Sequence, residues 1–455
     1  MKKFTWILLV AICLSGFTVK AQEVEALKEK VTGLNDVVTG MNERLTTAES
    51  DLSKLTKIKV SGYIQAQYQN FESPLVQPTN YFSLRRVRLK FTYEALDGVK
   101  FVLQPDFAPG ALSLKDAYVV LNDRWTKAFS LTAGKFNRPN YEVEYSSSQR
   151  ELPERSAVIR ALYPGERAIG AKLEYNPVNF PIHMQLALLN GADGLTINNS
   201  AGTNLNSNEN KDYDNGKDIM ARITYNLSLG SFGGLDFGAH AYFGSLKSNA
   251  VKTLSSDYST VTDIKVGDAV KRNWVGGEFQ LFADVLGGLS IKGEYIAGKN
   301  ASVGYSPVAA VGTTAAIPGV ANFQNNFAGY YLYFIKNLGK KNQFAFRYDY
   351  YDPNTDISGK DVTVKGYATT DATTLKSKIS GKSDLATTTF GLALHHYFDD
   401  NLRITLAYDI VQNEKVGSAG LLTESYKKVD GTSGTVDYNK AINQNVLTLR
   451  IQAKF

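Results

Sequence analysis

The last nine residues of the chain alternate strictly between apolar and polar. Leu447, Leu449, Ile451, Ala453 and Phe455 take one parity, and Thr448, Arg450, Gln452 and Lys454 take the other. Successive side chains of a strand point to opposite faces, so this segment predicts a ribbon with one apolar and one charged face. The pattern begins at Ile58, where Ile58, Val60, Gly62, Ile64, Ala66 and Tyr68 alternate with Lys59, Ser61, Tyr63, Gln65, Gln67 and Gln69. It recurs through the chain, cleanly in Phe344–Tyr350 and Leu402–Asp409. Sixteen strands follow from it, the first near 58–70 and the last near 442–455.

Loop length sorts by strand parity. Connections after even-numbered strands are short (Leu96-Asp97, Pro177–Phe180, Val285–Gly287, Asp399-Asp400). Most of those after odd-numbered strands are long and polar: 138–167, 191–217, 245–270, 299–323, 352–385 and 413–441. A soluble sandwich has no reason to sort its loops in this way, whereas outer-membrane barrels have short periplasmic turns and long outer loops. Aromatic residues also cluster near strand ends, as at Tyr330, Tyr331, Tyr333 and Phe334, where an interfacial girdle would need them. The reading is all-β: a 16-stranded antiparallel transmembrane β-barrel over 58–455. A barrel this wide leaves an aqueous channel, which points to passive diffusion.

Before the barrel the period changes. Val24, Val31, Val38, Leu45 and Leu52 occupy one heptad seam position, and Leu27, Leu34, Met41, Ala48 and Leu55 the other. This predicts a short coiled-coil helix within 22–57, with a solitary amphipathic helix as the alternative. Gly33 and Gly40 each cost roughly 1 kcal/mol relative to alanine, so the helix should depend on partner chains. Residues 1–21 carry Lys2 and Lys3, an apolar run from Phe4 to Phe17 and Val19-Lys20-Ala21 before Gln22, the layout of a cleavable signal peptide. The expected location is the outer membrane of a Gram-negative bacterium, with outer-membrane lipid around the barrel.

Cleavage there would remove Cys13, the one cysteine, and three lysines, lowering the net charge from +6 to +3. No thiol chemistry is then expected, and so small a charge does not indicate nucleic-acid binding. The four histidines, His183, His240, His395 and His396, stand in no catalytic or zinc spacing. No catalytic residue, cofactor or metal is therefore expected, and the chain does not read as an enzyme.

The connection 138–167 is the third long loop, the one that folds inward in 16-stranded porins. It holds Arg138, Arg150, Arg155, Arg160 and Arg167 beside Glu142, Glu144, Glu151, Glu154 and Glu166. Guanidinium groups stay charged and grip oxyanions with paired donors, so these arginines are candidates for an anion-binding constriction. The alternative is that they pair with the loop's own glutamates and pin it to the wall. Parity sends Arg86, Arg88 and Lys90 inward from the second strand, and Lys115 and Lys135 are also read as lumenal. Leu84-Arg-Arg-Val-Arg-Leu-Lys-Phe91, Leu114-Lys-Asp-Ala-Tyr118, Ala133-Gly-Lys-Phe-Asn-Arg-Pro139, Glu154-Arg155 and Gly165-Glu-Arg-Ala-Ile-Gly170 together resemble the phosphate-selective porin O and P family. The resemblance implies a homotrimeric pore whose arginines and lysines conduct small anions such as phosphate. The other functional reading is a structural anchor or adhesin that works through its long outer loops.

Overall fold

The computed structural model describes residues 25, 28–49, 52 and 57–455, apart from 109, 111, 193–194, 196–211, 213, 249–250, 304–320, 363–380 and 421. The expected signal peptide lies outside the described residues. The chain separates into two compact units, Met1–Lys59 and Val60–Phe455.

In the first unit, 28–49 form helix α1. Thr32, Thr39 and Thr46 turn their hydroxyls back to carbonyls four residues earlier, which satisfies the side chains without leaving the helix. The heptad seam is open along its length, with Val31, Leu34, Val38, Met41 and Leu45 all at least half exposed.

The strands, in chain order, are β1 (Ile58–Phe71), β2 (Asn80–Leu96), β3 (Val99–Asp106), β4 (Ser113–Asn122), β5 (Phe129–Asn137), β6 (Arg167–Tyr175), β7 (Ile182–Leu189), β8 (Asp218–Ser228), β9 (Gly233–Lys247), β10 (Lys252–Leu254), β11 (Val261–Asp263), β12 (Ala269–Ala283), β13 (Leu289–Val303), β14 (Ala321–Leu338), β15 (Asn342–Asp352), β16 (Thr387–Tyr397), β17 (Leu402–Asn413), β18 (Thr423–Lys427), β19 (Ser433–Asp437) and β20 (Val446–Lys454). Sixteen of them form one closed antiparallel barrel, and β1 pairs β20 from Tyr63↔Lys454 to Phe71↔Val446 to shut the ring. Closure leaves no unpaired sheet edge, the condition for a β-structure to stand in lipid. The other four strands are two hairpins within long loops, β10–β11 and β18–β19. Neither hairpin follows from the period-two pattern, because three to five residues give the alternation too little length.

The faces divide as the alternation requires. On β20, Leu449 and Ile451 are 43 % and 48 % exposed on the outside, while Arg450 and Gln452 are each 4 % exposed on the inside. Short turns close one rim. At β2–β3 only Asp97-Gly98 intervene, and Gly98 adopts φ +79°, where a Cβ would stand 3.0 Å from the Asn122 carbonyl oxygen. Rings pair across strands on both halves of the outer wall: Phe129–Tyr175 and Tyr225–Phe237 near the short-turn rim, and Tyr330 with Tyr295, Tyr348 and Tyr350 higher up.

Candidate channel constriction

The third long loop, residues 138–166 (L3 below), leaves β5 and crosses the barrel interior before returning at β6. Asn140 caps the short helix α2 (Tyr141–Glu144) by accepting from the Val143 amide, and a second helix, α3 (Ala157–Leu162), follows. Val143, Leu152, Val158, Ile159, Leu162 and Tyr163 are buried against the inner wall. There they meet Ala187 and Leu189 of β7, Met220 of β8, Tyr242 of β9, Trp274 of β12, Ile296 of β13 and Phe327 of β14. The Trp274 indole donates to the Tyr163 hydroxyl at 2.8 Å. At this height the inside of the barrel is therefore a small protein core.

Ion pairs complete the docking. Glu151 accepts from Lys292 at 2.8 Å, and Glu144 accepts from Arg222 at 2.8 Å and Gln185 at 2.7 Å. Glu154 takes both forks of Arg85 at 2.8 Å. Glu142 accepts from the Ser156 hydroxyl at 2.6 Å and the Tyr333 hydroxyl at 2.9 Å. Glu166 gathers Arg150 at 2.6 Å, Arg155 at 2.8 Å and Arg167 at 2.5 Å, and Arg167 also reaches Asp116 at 2.9 Å. Burial opposes ionisation of Glu166, yet the three guanidinium groups hold its carboxyl well below the usual range. Burial likewise opposes ionisation of Glu154. The hydrogen-bonded charge of Arg85, with Arg86 and Arg450 nearby, pulls it down to about 2.

The structure sorts the ten candidate cations. Arg86, Arg88 and Lys90 point inward from β2. Arg88 is committed to Asp106 at 2.7 Å, Tyr63 at 2.9 Å and Ser147 at 3.0 Å. Arg86 has only the neutral Gln65 at 2.9 Å, and its Nε is buried without a partner. Lys90 faces a cavity of about 500 Å³ beside L3 and makes no hydrogen bond or ion pair among the described residues. Arg150, Arg155 and Arg167 are the Glu166 cluster, and Arg138 is tucked over the Tyr163 ring, its centre 5.9 Å away. Arg160 of α3 is exposed. Its charge reaches Asp349 and Asp409, but no ion pair forms.

One expectation is corrected. Lys135 lies opposite Ala117 and Ile169 and shares the outward parity of Leu131 and Ala133. The inward place beside it belongs to Phe136, which packs under L3. Lys115 is skipped by the register between Gln104↔Asp116 and Pro105↔Leu114, and the charges that act on it are the interior ones of Arg88, Arg167, Asp106 and Glu166. Arg85 was missed by counting faces, because it reaches Glu154 despite its odd position. A further group, His240, Glu278 and Glu294, meets on the inner wall, Glu278 and Glu294 across the β12–β13 hairpin and His240 from β9.

A closed sixteen-stranded barrel, apolar outside and polar inside, with its third long loop folded into the lumen, is the architecture of an outer-membrane channel of the porin class. The sequence profile of the family described as phosphate-selective porin O and P matches residues 58–425, and the chain belongs to that family. Solved structures share the fold. OprB of Pseudomonas putida aligns with a TM-score of 0.56 at 10% identity, covering 90% of this chain and 96% of its own. The anion-selective porin of Comamonas acidovorans gives 0.52 at 12%, covering 88% and 99%. OmpT of Vibrio cholerae in its trimer form gives 0.50 at 11%, also covering 88% and 99%. No curated protein sequence matches. The protein is an outer-membrane channel of a Gram-negative bacterium.

Proposed function

We propose that this channel favours small anions, phosphate among them, and that it works as a homotrimer of passive pores. The observation that carries the reading is Lys90, a lumenal cation without a hydrogen bond or ion pair among the described residues, which faces the cavity on the β1–β6 side of L3. The cavity there is lined by Arg88, Lys90, Arg155, Arg167, Lys172 and Lys454, of which Arg88, Arg155, Arg167 and Lys172 are ion-paired. Three serine residues of L3, Ser146, Ser147 and Ser148, border the same space and offer further donors. Three of the five loop arginines are tied to Glu166, so ion selection falls to candidates that form no ion pair among the described residues, Lys90, Arg86 and Arg160 among them. An anion passing there exchanges water for charge-assisted donors. The Comamonas porin of the same fold is anion-selective, and the Vibrio neighbour is a trimer.

Planar-bilayer recording of the full chain in a salt gradient tests this. The zero-current potential of the native channel is expected on the anion side, and Lys90→Glu and Arg160→Glu should each move it toward cations. A charge acts within about 8 Å in physiological salt, so Lys360→Glu in an outer loop should leave it unchanged. A cation-selective native channel would overturn the anion reading, and a protein that conducts nothing would favour the anchor or adhesin.

A further inference from the structure

The inner wall holds a group of side chains that the ion path does not use. Glu278 of β12 lies directly opposite Glu294 of β13, and His240 of β9 lies opposite Gly276, two residues along β12. All three side chains are buried, and one ligand atom from each falls within 4.8 Å of the others. Like charges directly opposed on neighbouring strands repel, so this pair needs a counter-charge. Arg222 supplies one to Glu278, at 2.6 Å, but shares itself with Glu144 at 2.8 Å. Glu294 receives only neutral donors, the Tyr331 hydroxyl at 2.7 Å and the Asn140 amide at 2.5 Å. No lysine or arginine among the described residues forms an ion pair with it.

His240 is 3 % exposed, and neither ring nitrogen makes a hydrogen bond. Its Nδ1 points between the carboxylates, 3.4 Å from Oε1 of Glu294 and 3.9 Å from Oε2 of Glu278. Room for the ring comes from Gly276, where a Cβ would stand 2.3 Å from Cε1 of the imidazole.

We propose that His240, Glu278 and Glu294 bind one first-row transition-metal dication of the zinc type. Such an ion holds nitrogen and oxygen ligands at about 2.0–2.2 Å in a tetrahedron, which sets ligand atoms about 3.3–3.5 Å apart. The His240–Glu294 separation already meets that spacing, and the Glu278 oxygen needs only a small approach. One imidazole with two carboxylates suits zinc better than calcium, which takes six to eight oxygens. Arg222, Tyr331 and Asn140 hold the carboxylates in orientation, as outer partners of metal ligands do. Glu278 and Arg222 also border a cavity of about 260 Å³, which gives the ion a way in. Because Asn140 both caps α2 and bonds Glu294, the ion would fasten the first turn of L3 to the wall.

The test uses the full chain in detergent, stripped with a chelator and titrated with Zn²⁺ and Co²⁺. One equivalent per chain is expected, with a visible Co²⁺ band of tetrahedral intensity that Zn²⁺ displaces and Ca²⁺ does not. His240→Gln and Glu294→Gln should each weaken binding roughly 100-fold or more, while His183→Gln leaves it unchanged. A native chain that takes up no zinc overturns the proposal and leaves His240 and Glu294 as ordinary wall residues. Equal binding by His240→Gln overturns it as well. If that variant does not fold, the cobalt spectrum of the native chain and its competition with zinc decide alone.

Discussion

Glu166 and Glu154 show what single side chains do in this barrel. Each is a loop carboxylate that arginines hold ionised: Glu154 ties the middle of L3 to β2 and β20, and Glu166 ties its end to β6 and to Arg150 and Arg155 of the loop itself. Removing one partner of the Glu166 cluster, whose arginines are buried, costs about 3–5 kcal/mol because the other charge is left without compensation, and the more exposed Arg85–Glu154 pair is worth less. The folded pKa of each lies below its unfolded value of about 4.3, so the stabilisation is complete above that pH and is lost as pH falls through the folded value. For Glu154 the loss should run from near pH 4 down to about 2. Single-channel conductance is therefore expected to hold steady from neutrality to about pH 5 and to become larger and noisier on further acidification. Glu154→Gln should show part of that noise already at neutral pH. A native channel whose conductance is flat from pH 7 to pH 2 would show that these pairs do not set the pose of L3.

At the scale of elements, L3 seats itself by shape as well as charge. A Cβ at Gly391 would lie 2.5 Å from Cδ1 of Leu152, and one at Gly329 would lie 2.7 Å from the Val158 Cβ. These wall glycines are notches for the loop's apolar residues. Gly391→Ala should push Leu152 out at a cost of about 1–3 kcal/mol, with altered conductance and an intact barrel by circular dichroism. Unchanged conductance would mean that the loop re-seats without effect. The same packing explains what the sequence could and could not disclose. Period-two alternation and the sorting of loop lengths identify the barrel, because lipid imposes one rule on every outer face. Inner faces obey no single rule. Beside L3 they are apolar (Phe136, Leu189, Met220, Trp274), and elsewhere they are charged. Reading charge as lumenal therefore misplaced Lys135. Glu278 and Glu294 meet across the β12–β13 hairpin, but their meeting with His240 of β9 depends on the exact register of both strand pairs, which no local motif encodes.

At the scale of the whole molecule, the barrel and α1 differ in what they need from other chains. The barrel needs only its own ladder to close, from β1 to β20. The seam of α1 has no such internal answer: Leu34 and Met41 are each 63 % exposed, and Gly33 and Gly40 lie within the helix. Two interior glycines weaken α1 by about 1 kcal/mol each, and most helix stability comes from packing an apolar face, so this heptad seam is best satisfied by the same seam of other chains. A trimeric coiled coil standing with three barrels would cover it. Mass measurement of the detergent-extracted protein should then give three chains. Deleting residues 24–55 should weaken the trimer while leaving a heat-resistant barrel, and Leu34→Lys should reproduce most of that loss. A native protein that is monomeric even under cross-linking would remove the trimer and leave α1 a solitary helix. A truncated chain that fails to fold would show instead that the barrel needs the segment before Ile58, against the division proposed between 22–57 and 58–455.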